Sequence, residues 1–159
     1  MKNSEAEAVL KFYKDIDLDI KVTSEWLEQY ESLYDTRGAI NYDGMPHGNN
    51  ISDSTALLAI ELAKTDTAER IKVLKSRIKE LKKLRTEILK EITSLSPIHK
   101  AIICGFYLQG QKWERIAEQI NYSVRQSKNI RCIALEVLGG KMARNRSISQ
   151  SKVLKEIVK

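Results

Sequence analysis

Five charged or amide side chains fall within seven residues of the C-terminal part of the chain: Arg125, Gln126, Lys128, Asn129 and Arg131. Arginine and lysine donate hydrogen bonds to guanine, asparagine and glutamine bond adenine through a donor and an acceptor, and a single helix fits the major groove. On one exposed helix face, these residues would form a surface that reads DNA bases. The alternative is that they only solvate a packed helix, as exposed charges usually do.

The distribution of charge favours the DNA interpretation. The chain carries a formal net charge of +6, but residues 97–159 hold seven Lys and five Arg against four Glu. The first 96 residues contain more acidic than basic side chains. A polyanion would therefore meet the C-terminal part first.

Two short helices must position these side chains. We predict one helix over residues 112–119 and a second from Val124 to about Leu138, where Gly139–Gly140 ends it. Three or four residues join them, which makes a helix-turn-helix. A small residue would lie where the helices cross, an asparagine would tolerate the left-handed turn, and a serine would cap the second helix. The residues that would build this unit are Trp113, Ile116, Ala117, Asn121, Ser123 and Ile130.

The N-terminal part is dominated by two long amphipathic patterns. Apolar residues spaced by three and four predict a helix from about Glu5 to Tyr34, although Ile16–Val22 alternates as a strand would. A second helix would run to about Leu95. Its second half carries an a/d coiled-coil seam, which either packs against the first helix or pairs with another copy. We expect a homodimer or higher homo-oligomer, with Arg85 as a polar position that sets register. The seam consists of Ile71, Leu74, Ile78, Leu81, Arg85, Ile88, Ile92 and Leu95.

A glycine-rich loop separates the two long helices. Within "NYDGMPHGNN", Asp43 and His47 invite an enzymatic interpretation, but the chain's other histidine, His99, lies at a predicted helix start and no set of catalytic or metal-binding partners appears. Glycine, asparagine and proline are ordinary turn residues. We interpret residues 36–52 as a connector and expect no enzyme, metal or cofactor.

The remaining features indicate a cytoplasmic protein. No apolar run approaches the eighteen or so residues that span a bilayer, and the start lacks the apolar segment of a signal peptide. Cys104 and Cys132 stand far apart in the sequence and are expected to be small buried hydrophobes.

Residues 95–138 resemble region four of bacterial sigma factors through "LSP", "WERIAEQI" and "YS", with departures at Arg115, Asn121 and Ser127. Together with the N-terminal helix, "YDGMPHG" and the long charged helix, this segment is similar to phage transcription regulators of the ArpU and RinA type. The resemblance implies an activator of phage or prophage late genes that binds promoter DNA and contacts host RNA polymerase. It places DNA contacts on Val124, Arg125, Lys128 and Asn129.

The sequence therefore predicts an all-α protein. A long helical hairpin of residues 1–95 with oligomerisation contacts would precede a helix-turn-helix DNA-binding domain of residues 96–140 and a basic tail of residues 141–159. That tail would form a short helix around 153–158 or remain a loosely ordered, solvated end. We expect a sequence-specific regulator of transcription that binds double-stranded DNA in the bacterial host cytoplasm. Two alternatives stay open: a DNA-packaging protein like a small terminase subunit, and an adaptor that binds RNA polymerase without reading DNA.

Overall fold

The chain is all-helical in the part that the structure describes. This structure is a computed structural model that describes the backbone of residues 2–38 and 54–157 and the side chains of residues 2–34 and 63–157. The elements are α1 (Asn3–Gly38), α2 (Ser54–Thr93), α3 (Pro97–Ile103) with a π-helical turn (Cys104–Leu108), α4 (Trp113–Ile120), α5 (Val124–Arg144), α6 (Arg146–Ser149) and α7 (Lys152–Ile157). None of the described helices is long and apolar enough to cross a membrane.

The chain divides into two compact units. Unit 1 comprises Met1–Asp19 and Leu81–Lys159, and unit 2 comprises Ile20–Glu80. Both α1 and α2 contribute one part to each unit. The alternating segment Ile16–Val22 is helical throughout, as its overall periodicity predicts.

The core of unit 1 is built from α1, α2 and α3–α5. Fully buried side chains include Leu10 and Ile16 of α1, Ile88 of α2, and Ile102 and Ile103 of α3. The burial of each of these side chains stabilises the folded state by roughly 2 kcal/mol. The first residues of α1 therefore belong to the same core as α3–α5.

The C-terminal part of the predicted seam is buried within the single chain. Leu81, Ile88, Ile92 and Leu95 are at most 6% exposed, and Leu84, which the a/d pattern omits, is 1% exposed. In unit 2, Ile78 is buried whereas Ile71 and Leu74 are only partly covered. Arg85 is exposed, and its Nη1 donates to Asp17 Oδ1 of α1. The role of the seam in association stays a prediction.

The predicted end of α5 at Gly139–Gly140 is wrong, because the helix continues to Arg144. Glycine in a helix interior costs roughly 0.5–1 kcal/mol relative to alanine, but the extension buries Met142 completely. It is also bonded to the residue that follows α2: Lys141 Nζ donates to the backbone oxygen of Ser94 at 3.1 Å and to its hydroxyl at 2.8 Å. Tertiary contacts therefore override the helix-stop signal.

The C-terminal tail is helical to Ile157 and contributes buried side chains as far as Leu154. The prediction of a short helix around 153–158 agrees with α7. The structure also contains one helical turn before it, α6, which the sequence did not predict. Ile148, Val153 and Leu154 are buried, so the alternative of a loosely ordered, solvated end is wrong for these residues.

Two other sequence predictions concern the cysteines and the connector. Cys132 is exposed and Cys104 is half-buried, so the prediction that both are buried hydrophobes is wrong. The predicted start of the connector at residue 36 is wrong, because α1 continues to Gly38. The rest of the connector, with Asp43 and His47, lies outside the described residues.

Candidate nucleic-acid interface

The turn between α4 and α5 is fixed by its backbone. Asn121 adopts the left-handed conformation, with φ 57° and ψ 42°. The amide of Tyr122 donates to the carbonyl of Ala117 at 3.0 Å, and the amide of Asn121 donates to the carbonyl of Glu118 at 3.2 Å. These two bonds form a Schellman motif, which satisfies carbonyls at the end of α4. Asparagine reaches this conformation at low cost, as the sequence predicts.

The N-terminus of α5 is anchored by two serines. Ser123 Oγ accepts a hydrogen bond from the amide of Gln126 at 3.2 Å, so Ser123 is the predicted N-cap. Ser127 is fully buried and its hydroxyl donates to the carbonyl of Ser123 at 2.9 Å. A buried serine therefore has its hydroxyl satisfied within the first turn. The burial of Ser127 shows which side of the first turn of α5 faces inward, opposite the side where its exposed side chains begin.

The helices α4 and α5 rest on α3 and the π-helical turn. Ile116 and Ala117 of α4 are buried in this packing. Trp113 is half-buried and stacks on Phe106, with the two ring centroids 4.6 Å apart. A Cβ at Gly105 would lie 3.2 Å from Gln111 Oε1 and from Ile116 Cγ1. Only glycine therefore lets the π-helical turn approach α4 this closely without displacing a neighbour.

The first two turns of α5 present an exposed polar face. Arg125, Gln126, Lys128 and Asn129 are exposed, and Val124 beside them is half-buried. Lys128 Nζ lies 6.0 Å from the centroid of the Trp113 ring. In the described part of the chain, no carboxylate forms an ion pair with Arg125 or Lys128. Both cations are therefore available to an external anion.

Arg131 does not share this exposed face, contrary to the sequence prediction. It is half-buried, with its guanidinium carbon 5.6 Å from the centroid of the Phe106 ring. Its Nε is buried and has no hydrogen-bond partner among the described residues. Arginine stacks well on aromatic faces, so Arg131 packs α5 against the π-helical turn. Ile130, predicted as part of the packed face, is also half-buried.

Tyr107 lies beneath Arg131 in the same layer. Burial raises the pKa of Tyr107 to about 12, nearby Arg131 opposes the shift, and the carboxylate of Glu7 adds to it. The hydroxyl is buried and makes no hydrogen bond of normal geometry, although Glu7 is close enough to act on its pKa. Arg131 and Tyr107 thus bury polar atoms in the packing beside Phe106, unlike the exposed Arg125 and Lys128.

Sequence reasoning missed residues that frame this face. Lys112 and Arg115 are exposed basic residues at the start of α4, the helix that carries Trp113. The signal was present, because both lie inside the basic C-terminal segment. The pairing of Phe106 with Trp113 and Arg131 depends on contacts between separate elements, which helix periodicity does not show.

The described residues show no metal centre, and comparison with known proteins identifies no family. They contain no group of three or more His, Cys, Asp or Glu placed to hold a metal ion. No protein-family model, curated protein or solved structure matches the chain.

Proposed function

We propose that the chain is a sequence-specific DNA-binding regulator of transcription that reads its site with the first two turns of α5. In this proposal α4 and α5 form a helix-turn-helix, with α5 in the major groove. One observation carries it: Arg125, Gln126, Lys128 and Asn129 stand together on an exposed face whose helix start is fixed by a cap, a buried serine and a Schellman turn.

The chemistry of this face suits a division of labour. Arg125 and Lys128 can donate to guanine or to phosphate, whereas Gln126 and Asn129 can bond adenine on two atoms. Lys112 and Arg115 would bind the backbone and set the register of the protein on the duplex. Arg131, packed on Phe106, would position the helix instead of contacting a base.

The biological setting is part of the proposal. The resemblance to phage regulators of the ArpU and RinA type supports a role at phage or prophage late promoters, together with host RNA polymerase. The basic C-terminal segment supports attraction to a polyanion.

Selection of bound sequences from a random DNA pool at about 150 mM salt tests the proposal, because screening weakens non-specific attraction. The variant Arg125→Ala/Lys128→Ala is compared with the wild type and with Lys82→Ala/Lys83→Ala. The control pair is also exposed and removes the same charge from α2. We expect one recurring motif from the wild type and the control, and its loss from the α5 variant, since each base contact contributes roughly 1–3 kcal/mol.

The other outcomes contradict defined parts of the proposal. A motif that survives in the α5 variant places the reading surface elsewhere. No motif from any of the three proteins contradicts sequence reading. Equal losses in both variants indicate attraction by net charge alone.

A second candidate is the adaptor that binds RNA polymerase without reading DNA. Ile133 and Val137 are exposed apolar residues one turn apart on α5, after the polar face ends. In that case purified bacterial RNA polymerase should bind the wild type but not the variant Ile133→Glu/Val137→Glu. The selection from random DNA should then yield no sequence motif.

A further inference from the structure

Unit 2 has a small core among its described side chains. Only Thr23, Thr67 and Ile78 are buried there, and two of these are threonines. Thr67 Oγ1 donates to the carbonyl of Ala63 at 2.7 Å, which satisfies the hydroxyl within its own helix. Two helices with so little shared apolar surface gain little stability from packing.

An apolar surface lies on one side of this unit. The apolar strip is defined here as Trp26 and Leu33 of α1 and Val73 of α2, which are 54%, 50% and 65% exposed. Tyr30 lies between the two α1 residues along the helix, and a groove of ≈ 360 Å³ runs over them. A half-exposed tryptophan beside two exposed aliphatic residues is the usual composition of an interface centre.

One contact places the two helices' contributions on the same side. Arg70 Nη1 of α2 donates to the hydroxyl of Tyr30 at 3.1 Å, and its guanidinium carbon is 5.8 Å from the centroid of that ring. Val73 follows Arg70 by three residues and therefore lies on the same flank of α2. Trp26 and Leu33 precede and follow Tyr30 by four and three residues, so they border the same flank of α1.

The charges of the two helices identify the partner. In unit 2, residues 20–34 of α1 hold one lysine against three glutamates, whereas residues 63–80 of α2 hold six Lys and Arg against three acidic residues. A two-fold pairing that lays α1 of one copy on α2 of the other brings opposite charges together. One such pair, Lys75 with Glu31 at 2.7 Å, already joins α1 and α2 within the chain, and the opposite net charge of the two segments suits a two-fold pairing of copies.

We propose that the apolar strip of unit 2 is the contact between two copies of this chain, which together form a four-helix bundle. The second copy covers Trp26, Leu33 and Val73 and adds apolar contacts to the small core that the described side chains of unit 2 form. This interface differs from the predicted a/d seam, whose C-terminal half is already covered within one chain. It does not depend on DNA binding, and its test contains no DNA.

Sedimentation equilibrium of the full chain over about 1–100 μM measures the association. We expect the wild type to approach twice its 18.2 kDa mass. In Trp26→Glu/Leu33→Glu the dissociation constant should rise about 100-fold, because central tryptophans contribute heavily to interfaces. The matched control Leu89→Glu changes an apolar residue that is 44% exposed and lies in the unit 1 part of α2, and it should leave association unchanged.

Tryptophan fluorescence provides a measurement without an acidic substitution. Trp113→Phe leaves Trp26 as the remaining tryptophan of two, and its emission should move to shorter wavelength as the concentration rises and the strip is covered. Circular dichroism confirms that each variant is helical.

A monomeric wild type over the whole range would overturn the proposal. A dimer that persists in Trp26→Glu/Leu33→Glu would exclude this strip as the contact. Trp26 emission already shielded in a monomer would show that the chain covers the strip itself.

Discussion

Asn145, at the end of α5, makes three side-chain hydrogen bonds, two of which join it to α2. Its Nδ2 donates to Glu87 Oε2 and Glu91 Oε1, each at 2.8 Å, and its Oδ1 accepts from the amide of Ser147 at 3.1 Å. The residue ends α5 and caps α6 with one side chain. Replacing it removes the cap and the link to α2 together, and different substitutions separate the two.

The magnitude follows from these bonds. Losing an N-cap costs about 1 kcal/mol. A hydrogen bond to a charged acceptor contributes about 1.5–3 kcal/mol, and a half-buried site takes the lower end of that range. Asn145→Ala should therefore lower the free energy of unfolding by about 3–4 kcal/mol. Asn145→Ser keeps a capping oxygen and should recover about 1 kcal/mol of that loss.

A carboxylate at the same position reverses the sign of the electrostatic interaction. Asn145→Asp keeps the cap but places a third negative charge beside Glu87 and Glu91. At pH 7 it should be less stable than Asn145→Ala, because like charges repel at this separation. Protonation removes the repulsion, so its stability relative to the alanine variant should rise as the pH falls toward about 4.

Urea unfolding followed by circular dichroism measures these differences. The matched control is Asn129→Ala, the same substitution at an exposed position of α5, which should change stability by less than about 0.5 kcal/mol. Equal stabilities for the wild type and Asn145→Ser would refute the reasoning, since the bonds to the two glutamates would then contribute nothing. An aspartate variant as stable as the wild type at pH 7 would refute the proximity of the carboxylates.

The remaining predictions concern glycine, tyrosine and cysteine. Gly140→Ala should raise the free energy of unfolding by about 0.5–1 kcal/mol, because the site is helical and open space surrounds it. Gly110→Ala should instead lower the free energy of unfolding by about 1 kcal/mol, because φ is +63° at that position. Urea unfolding of both variants measures the two changes. Tyr107 should ionise near pH 12 in an ultraviolet titration, and because its folded pKa is raised, the stability that it contributes is complete below about pH 10 and is lost as the pH rises toward 12. Tyr107→Phe should abolish that loss, and an ordinary titration near pH 10 would contradict the burial. Cys132 should react with a thiol reagent faster than Cys104, since Cys104 is half-buried and burial raises its pKa. Cys132→Ser should therefore remove the fast phase of the reaction. Loss of the slow phase instead would contradict the exposure of Cys132 and the partial burial of Cys104.

Much of the local structure could be predicted from the sequence. Spacings of three and four define α1 and α2, Asn121 ends α4 in a left-handed turn, and Ser123 caps α5. Each of these features depends on residues within about one helical turn, so one sequence is enough to find them. The exposure of Arg125 and Lys128 also follows from helix periodicity.

Errors arose where a distant partner decides the outcome. Gly139–Gly140 is a local stop signal, but α5 continues because Met142 is buried and Lys141 bonds the residue that follows α2. Arg131 lies against Phe106, which is 25 residues earlier in the chain, and periodicity places it instead with the exposed residues.

The sequence by itself determined that the described chain is helical, where most helices begin and end, and that positive charge collects in its C-terminal part. Only the tertiary structure decided which faces are covered: it buries Leu84, exposes Cys132 and leaves Trp26, Leu33 and Val73 open. The physical reason is the range of the interactions. Helix formation depends on bonds between residues four apart, whereas burial depends on which surfaces meet across the whole chain.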